Sequence, residues 1–107
     1  MKIDRQQLKA DLLQTATDVC MMMGNVSVDE VMGRSRLARI AIARHITAWA
    51  MVNIRRWSMN MTGWAMRREH AATRHSCNVV EGWLSMPKMY KAENTIISQL
   101  AARYGKA

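Results

Sequence analysis

Apolar residues recur at steps of three and four along most of this chain, the spacing of one face of a helix. No stretch alternates as a strand does. Leu8, Leu12, Leu13, Ala16, Val19, Cys20 and Met23 make the first stripe and predict a helix from about Arg5 to Met23. Asp4 stands where an N-cap would, and Gly24-Asn25 supplies residues that commonly end a helix. Ser27-Val28-Asp29-Glu30 has capping-box spacing, with Ser27 at N-cap and Glu30 at N3, and opens a short helix from Val28 to Met32. Gly33-Arg34-Ser35-Arg36 follows as a basic loop. The longest stripe is Ile40, Ala43, Ile46, Ala50 and Ile54, which predicts a helix from about Leu37 to Arg56. Arg36, Arg44 and His45 fall off that stripe, on the side of the basic loop.

Ser58 caps a further short helix over about Met59 to Ala65, and a tight turn is expected at Met66-Arg67. The next helix, about Arg68 to Leu84, turns Ala72, Ser76, Val79, Val80 and Trp83 inward. Ser85-Met86-Pro87 signals a last helix, about Lys88 to Arg103, with Met89, Ile96, Ile97 and Leu100 inward and Gly105 in a short frayed tail. Trp49 and Trp57 read as core or core rim, and so do Met21-Met22-Met23. The expectation is an all-α fold: a single compact domain, residues 1–107, of about six helices.

Composition adds bounds. A chain of 107 residues, half of them apolar, can build one core and not two. Eleven methionines supply much of the apolar bulk and suit irregular gaps between helices. No apolar run approaches the roughly 18 residues of a membrane span, and Met1–Gln7 lacks the apolar stretch of a signal peptide. A cytoplasmic location is expected, with Cys20 and Cys77 as two buried thiols. His70 and His75 are five residues apart and do not share a helix face well, so no metal site with Cys77 is expected. No nucleophile triad or carboxylate pair stands out, and the chain does not read as an enzyme.

Charge changes the picture most. The net charge of +8 is uneven: residues 33–76 hold nine Arg and one Glu, a net of +8, whereas residues 1–32 carry −2 and residues 77–107 carry +2. A concentrated arginine surface suits a polyanion, because the planar guanidinium fork fits phosphate and guanine. Within this segment, Met66–Cys77 packs three Arg and two His among small residues. A helix starting near Arg68 puts His70, Ala71 and Arg74 on one face, able to approach a DNA groove closely. Glu69 in its first turn complements the helix dipole. Two helices joined by so short a turn predict a helix-turn-helix whose second member reads the groove.

Here the chain resembles a known family, over nearly its whole length: the C-terminal DNA-binding domain of DnaA, the bacterial chromosomal replication initiator. Gly24-Asn25-Val26-Ser27-Val28-Asp29-Glu30-Val31-Met32 is similar to the family's Gly-Val-Ser-x-Glu-Asp-Leu-Leu, and Ala43-Arg44-His45-Ile46 to its Ala-Arg-Gln-Ile. Arg68-Glu69-His70-Ala71-Ala72-Thr73-Arg74-His75-Ser76 resembles the signature Arg-Asp-His-Thr-Thr-Val-Leu-His-Ala, the most specific of the three matches. The resemblance implies a Trp-repressor-like helix-turn-helix domain that binds double-stranded DNA. It implies that the basic loop, Arg34 and Arg36, enters or borders the minor groove. It further implies base reading by Glu69, His70 and Ala71, and DNA contacts by Arg44, His45, Arg67, Arg68 and Ala72. The departures are specific. Ala71 and Ala72 replace two threonines, Arg74 replaces a leucine and could contact phosphate or guanine, His45 replaces glutamine, and Arg67 alone stands where the family has Gly-Gly. They predict a target site of its own.

The chain has no Gly-x-x-x-x-Gly-Lys-Ser/Thr loop, so neither an ATPase nor a nucleotide cofactor, nor any other cofactor, is expected. The expected role is a stand-alone accessory or regulator of replication initiation or transcription, nucleoid-associated, from a phage or mobile element. The alternative is a helical interaction module that binds a replication protein through its Met-rich, Trp-bearing surface.

Overall fold

Asp4 opens the first helix as its position predicts: its carboxylate accepts the Gln7 N–H at 3.0 Å, and α1 runs Arg5–Met23. A computed structural model describes residues 4–105 and forms six helices, with no strand among the described residues. The readings of Met1–Ile3, and of the tail beyond Gly105, lie outside the described residues. Gly24 ends α1 in the left-handed region, at φ 83°, and its N–H returns to the Cys20 carbonyl at 2.8 Å. The capping box opens α2, Val28–Met32. The Ser27 N–H donates to Glu30 Oε1 at 2.9 Å, and the Glu30 N–H donates to Ser27 Oγ at 3.2 Å.

α3 spans Ala38–Asn53, shorter at both ends than its stripe suggests. It stops where the chain reverses: the Trp57 N–H reaches back to the Met51 carbonyl at 2.9 Å, across Arg56 at φ 69°. α4, Met59–Met66, is capped by Ser58, which accepts the Met61 N–H at 3.0 Å. α5 spans His70–Ser85 and α6 Lys91–Arg103. The last helix begins later than the proline suggests, because Pro87-Lys88-Met89 forms a separate turn. Met89, expected inward, is therefore 70% exposed.

α3 is the central helix, packed against all five others. Its Ile40, Ala43, Ile46, Ala50 and Met51 are fully buried or nearly so, and Ile54 sits at the rim. Leu8, Leu12 and Val19 of α1, Val80 of α5 and Ile97 and Leu100 of α6 join α3 in one buried cluster. A Cα radius of gyration of 12.8 Å fits one compact body, since about 13 Å is expected for this length. Cys20 and Cys77 are buried free thiols, and burial pushes both above the usual thiol range. Trp49 and Trp57 lie at the core rim, with indole N–H groups donating to Glu81 and Asp11 at 2.9 and 2.8 Å. Met22 and Met23 pack on the core, but Leu13 and Met21, read as inward or rim, face solvent at 58% and 72% exposure.

Two carboxylates of α1 tie distant elements to it. Asp11 accepts Arg55 Nη2 at 2.8 Å as well as the Trp57 indole. Asp18 accepts Arg103 Nη1 at 3.0 Å and the Tyr104 hydroxyl at 2.6 Å. Burial, with that hydrogen bond, holds the Tyr104 phenol up at about 12.

Candidate nucleic-acid interface

The positioning of the basic residues starts at one glycine. A Cβ on Gly63 would meet the Arg68 carbonyl and Thr73 Oγ1, each at 2.9 Å, so only glycine lets α4 and the start of α5 approach so closely. The turn between them is Arg67-Arg68-Glu69. Arg67 takes the left-handed conformation at φ 58°, a strained choice for a residue other than glycine. The Arg68 N–H then donates to the Gly63 carbonyl at 2.8 Å. Because the turn uses these residues, α5 begins at His70 and not near Arg68. Glu69 occupies the N-cap position, exposed, without a side-chain capping bond.

From that start, α5 presents His70, Ala71 and Arg74 to solvent on one face, as the three-and-four spacing predicts. His75 and Asn78 are exposed as well. Both were missed as candidates, although a step of four from Ala71 and from Arg74 reaches them. Ala72 is half-buried instead. It turns toward a cavity of about 440 Å³ that it shares with Gly33, Arg34, Arg67, Arg68 and Glu69.

The basic loop sits beside this start, held by two arginines. Arg44 is only 6% exposed. Its Nε donates to the Val31 carbonyl at 2.9 Å and its Nη1 to Ser35 at 2.8 Å. Its Nη2 donates to the carbonyls of Glu30 and Gly33, both at 3.0 Å. Arg68 Nη2 donates to the same Gly33 carbonyl at 3.0 Å. One backbone oxygen thus joins the central helix, the loop and the turn before α5. Arg34 and Arg36 project from the loop into solvent, and a cavity of about 350 Å³ lies among Arg34, Ser35, Arg36, Arg44 and Arg68. No carboxylate lines it. Burial, then the neighbouring charge of Arg68, lowers the Arg44 pKa, and burial followed by Arg34 lowers that of Arg68. Both remain cations at ordinary pH, so this cavity holds a concentrated positive field with no acid on its lining.

Two sequence expectations are corrected here. Arg44 lies beside the basic loop as expected, but it is not free for a DNA contact: its guanidinium is spent on four carbonyls beneath the loop. His45 also points inward, where its Nδ1 and Ser76 Oγ share a hydrogen bond of 2.8 Å between α3 and α5. Its ring meets His75 and Trp83 edge-on, with centroids 5.6 and 6.1 Å away. Burial, then the charges of His75, Arg44 and Arg68, pushes the imidazole down to about 4, so it is neutral at physiological pH. Arg55 is likewise occupied, paired with Asp11 and set over the Tyr104 ring at 4.2 Å.

Among the described residues, no helix is long and apolar enough to cross a membrane, and no group of three or more His, Cys, Asp or Glu could hold a metal ion. What the site offers chemically is hydrogen-bond donors and positive charge around an exposed helix start. Compared with known proteins, the chain matches no family model, no curated protein and no solved structure.

Proposed function

We propose that this chain binds double-stranded DNA in a sequence-specific manner. α4 and α5 act as the helix-turn-helix, with the start of α5 in the major groove and Arg34 and Arg36 in or near the minor groove. One observation carries the reading. Gly33 joins the Arg34–Arg36 loop, through Arg44 and Arg68, to the helix that exposes His70, Ala71 and Arg74. Two basic elements fixed at one separation suit a polymer with regularly spaced grooves and phosphates. The similarity of Arg68–Ser76 to the DnaA signature supports the same reading. In this division of labour, Glu69, His70, Ala71 and Arg74 face bases, Arg34, Arg36 and Arg67 face the backbone or minor groove, and Arg44 and Arg68 hold the two elements together.

We take the role to be accessory or regulatory: the chain marks or competes for a site in replication initiation or transcription, at the nucleoid. Selection of bound duplexes from a random pool, followed by anisotropy titration of the winners, tests this. A consensus that binds at least about a thousandfold more tightly than unselected duplex is expected. Equal affinity for duplex and single strands, with no consensus, would overturn it.

A further inference from the structure

A groove between α1, α2 and α4 lies beside the turn that leads into α5, and apart from Arg67 at its edge it is not used by the DNA-binding reading. It holds about 600 Å³, over an apolar floor of Leu12, Leu13, Val28, Met32 and Trp64. Two of the large apolar side chains this protein exposes meet there: Leu13 at 58% and Trp64 at 45%. Apolar surface gathered in a cleft with a charged rim marks a binding surface far better than single exposed residues do.

The rim is positive. The Arg5 guanidinium carbon and the Lys9 Nζ lie 4.8 and 5.5 Å from the Trp64 ring centroid. Arg67 lines the groove with Lys9, and no carboxylate lines it. The ion pairs among the described residues are Arg39–Glu30, Arg55–Asp11 and Arg103–Asp18, and none of these involves Arg5, Lys9 or Arg67. We infer that this groove docks an acidic amphipathic helix of a partner protein, with apolar anchors over Leu13 and Trp64 and carboxylates on Arg5 and Lys9.

Other occupants fit less well. A DNA backbone would neutralise the cations but leave Leu13 and the indole uncovered. A second copy of this chain brings a net charge of +8 to a positive rim. A helix supplies both complements at once, because apolar residues at i, i+3 or i+4 and i+7 form a stripe that acids can flank. Arg67 borders both this groove and the start of α5, so the tests leave it untouched.

The experiment is a display selection of random peptides of about 16 residues, roughly four helical turns, on the full chain. Enriched peptides are expected to carry Asp or Glu beside apolar residues at helical spacing. A synthetic copy of the best peptide should bind Leu13→Glu and Lys9→Glu at least about tenfold more weakly than the parent. Both positions are exposed, and unchanged helical circular dichroism and duplex affinity are expected of both variants. Absence of enrichment, enrichment of peptides without acids, or equal binding to the variants would overturn the inference. So would self-association abolished by Leu13→Glu, which gives the groove to a second copy, or loss of duplex affinity in Lys9→Glu, which gives it to DNA. Peptide binding is read without DNA, so this inference and the DNA-binding reading can fail separately.

Discussion

Arg44 and Arg74 are the same residue type, each on a helix of the arginine-rich central segment, yet they differ in almost every physical respect. Arg44 is buried under the loop and makes four hydrogen bonds to backbone carbonyls. Arg74 is exposed and makes no hydrogen bond within the described residues, on the face it shares with His70 and Ala71. The difference extends to the rest of the segment. Arg55 and Arg68 are committed to Asp11 and to Gly33, whereas Arg34, Arg36 and Arg67 stand in solvent. A net charge of +8 therefore describes two populations: cations that build the surface and cations that are the surface. Only the second can exchange counterions for a ligand's phosphates; the first sets where the second stands.

Arg44→Met should break the comparison at its most sensitive point. The variant keeps the length and apolar stem of the side chain but removes donors from the carbonyls of Glu30, Val31, Gly33 and Ser35. A loss of about 2–4 kcal/mol in urea unfolding is expected, because part-buried acceptors lose partners that water replaces poorly. Arg74→Ala should change stability by no more than about 0.5 kcal/mol. If the two variants unfold alike, the division into two populations is wrong.

The second contrast reverses the roles. Arg74→Ala and His70→Ala should each cost about 1–3 kcal/mol in affinity for a selected duplex and relax preference at one position, as loss of a base-edge contact does. Arg68→Met, which releases the loop from the turn, should weaken binding on every sequence without changing the consensus. Anisotropy on the selected and unselected duplexes separates these outcomes. A consensus altered by Arg68→Met would make Arg68 a base reader.

How much of this was legible beforehand follows from where each partner lies in the chain. The caps at Asp4 and Ser27 and the bounds of α1 and α2 could be read, because their partners are three or four residues away. The outward face of α5 could be read for the same reason. Arg44 could not, since its acceptors lie 9 to 14 residues upstream in a segment whose path is set only by the finished fold. The stripe on α3 also misled. A helix surrounded on all sides buries Thr47 and Ala48 as well as Ile40 and Ile46, and position off the stripe then no longer means exposure. The late start of α5 had no local signal, because Arg67 adopts a left-handed conformation that usually announces itself with glycine. The groove of Leu13 and Trp64 was hidden because Leu13 fits the stripe of the first helix and its outward turn is set only by the finished fold.

His45 carries the comparison into pH. Its imidazole titrates near 4 in the fold against an ordinary 6.5, so the unfolded chain binds the extra proton between those values. Stability should be intact above about pH 6.5 and fall as pH drops toward about 4. Allowing for partial solvent screening, the loss should be about 1–2 kcal/mol, or several degrees in Tm. His45→Gln can keep a hydrogen bond to Ser76 but cannot take up a proton, and should flatten that limb of the pH profile. Melting curves for the two proteins across this range make the measurement. Parallel profiles would mean that the imidazole is hydrated in the fold and titrates normally.

The smallest effect gives the sharpest discrimination, since it compares two arginines that charge counting treats as equal. Arg34→Ala removes a solvent-facing cation. If that cation neutralises one phosphate, the slope of log K against log salt should become shallower by about 0.9. Arg55→Met removes a cation already held by Asp11 at 2.8 Å, with both side chains largely covered. It should leave the slope unchanged, while chemical unfolding registers a loss of about 1–3 kcal/mol from the unpaired carboxylate. Overall charge falls by one in both variants. A purely diffuse attraction between a +8 protein and DNA would therefore shift both slopes alike, whereas contact through the Arg34–Arg36 loop shifts only the first.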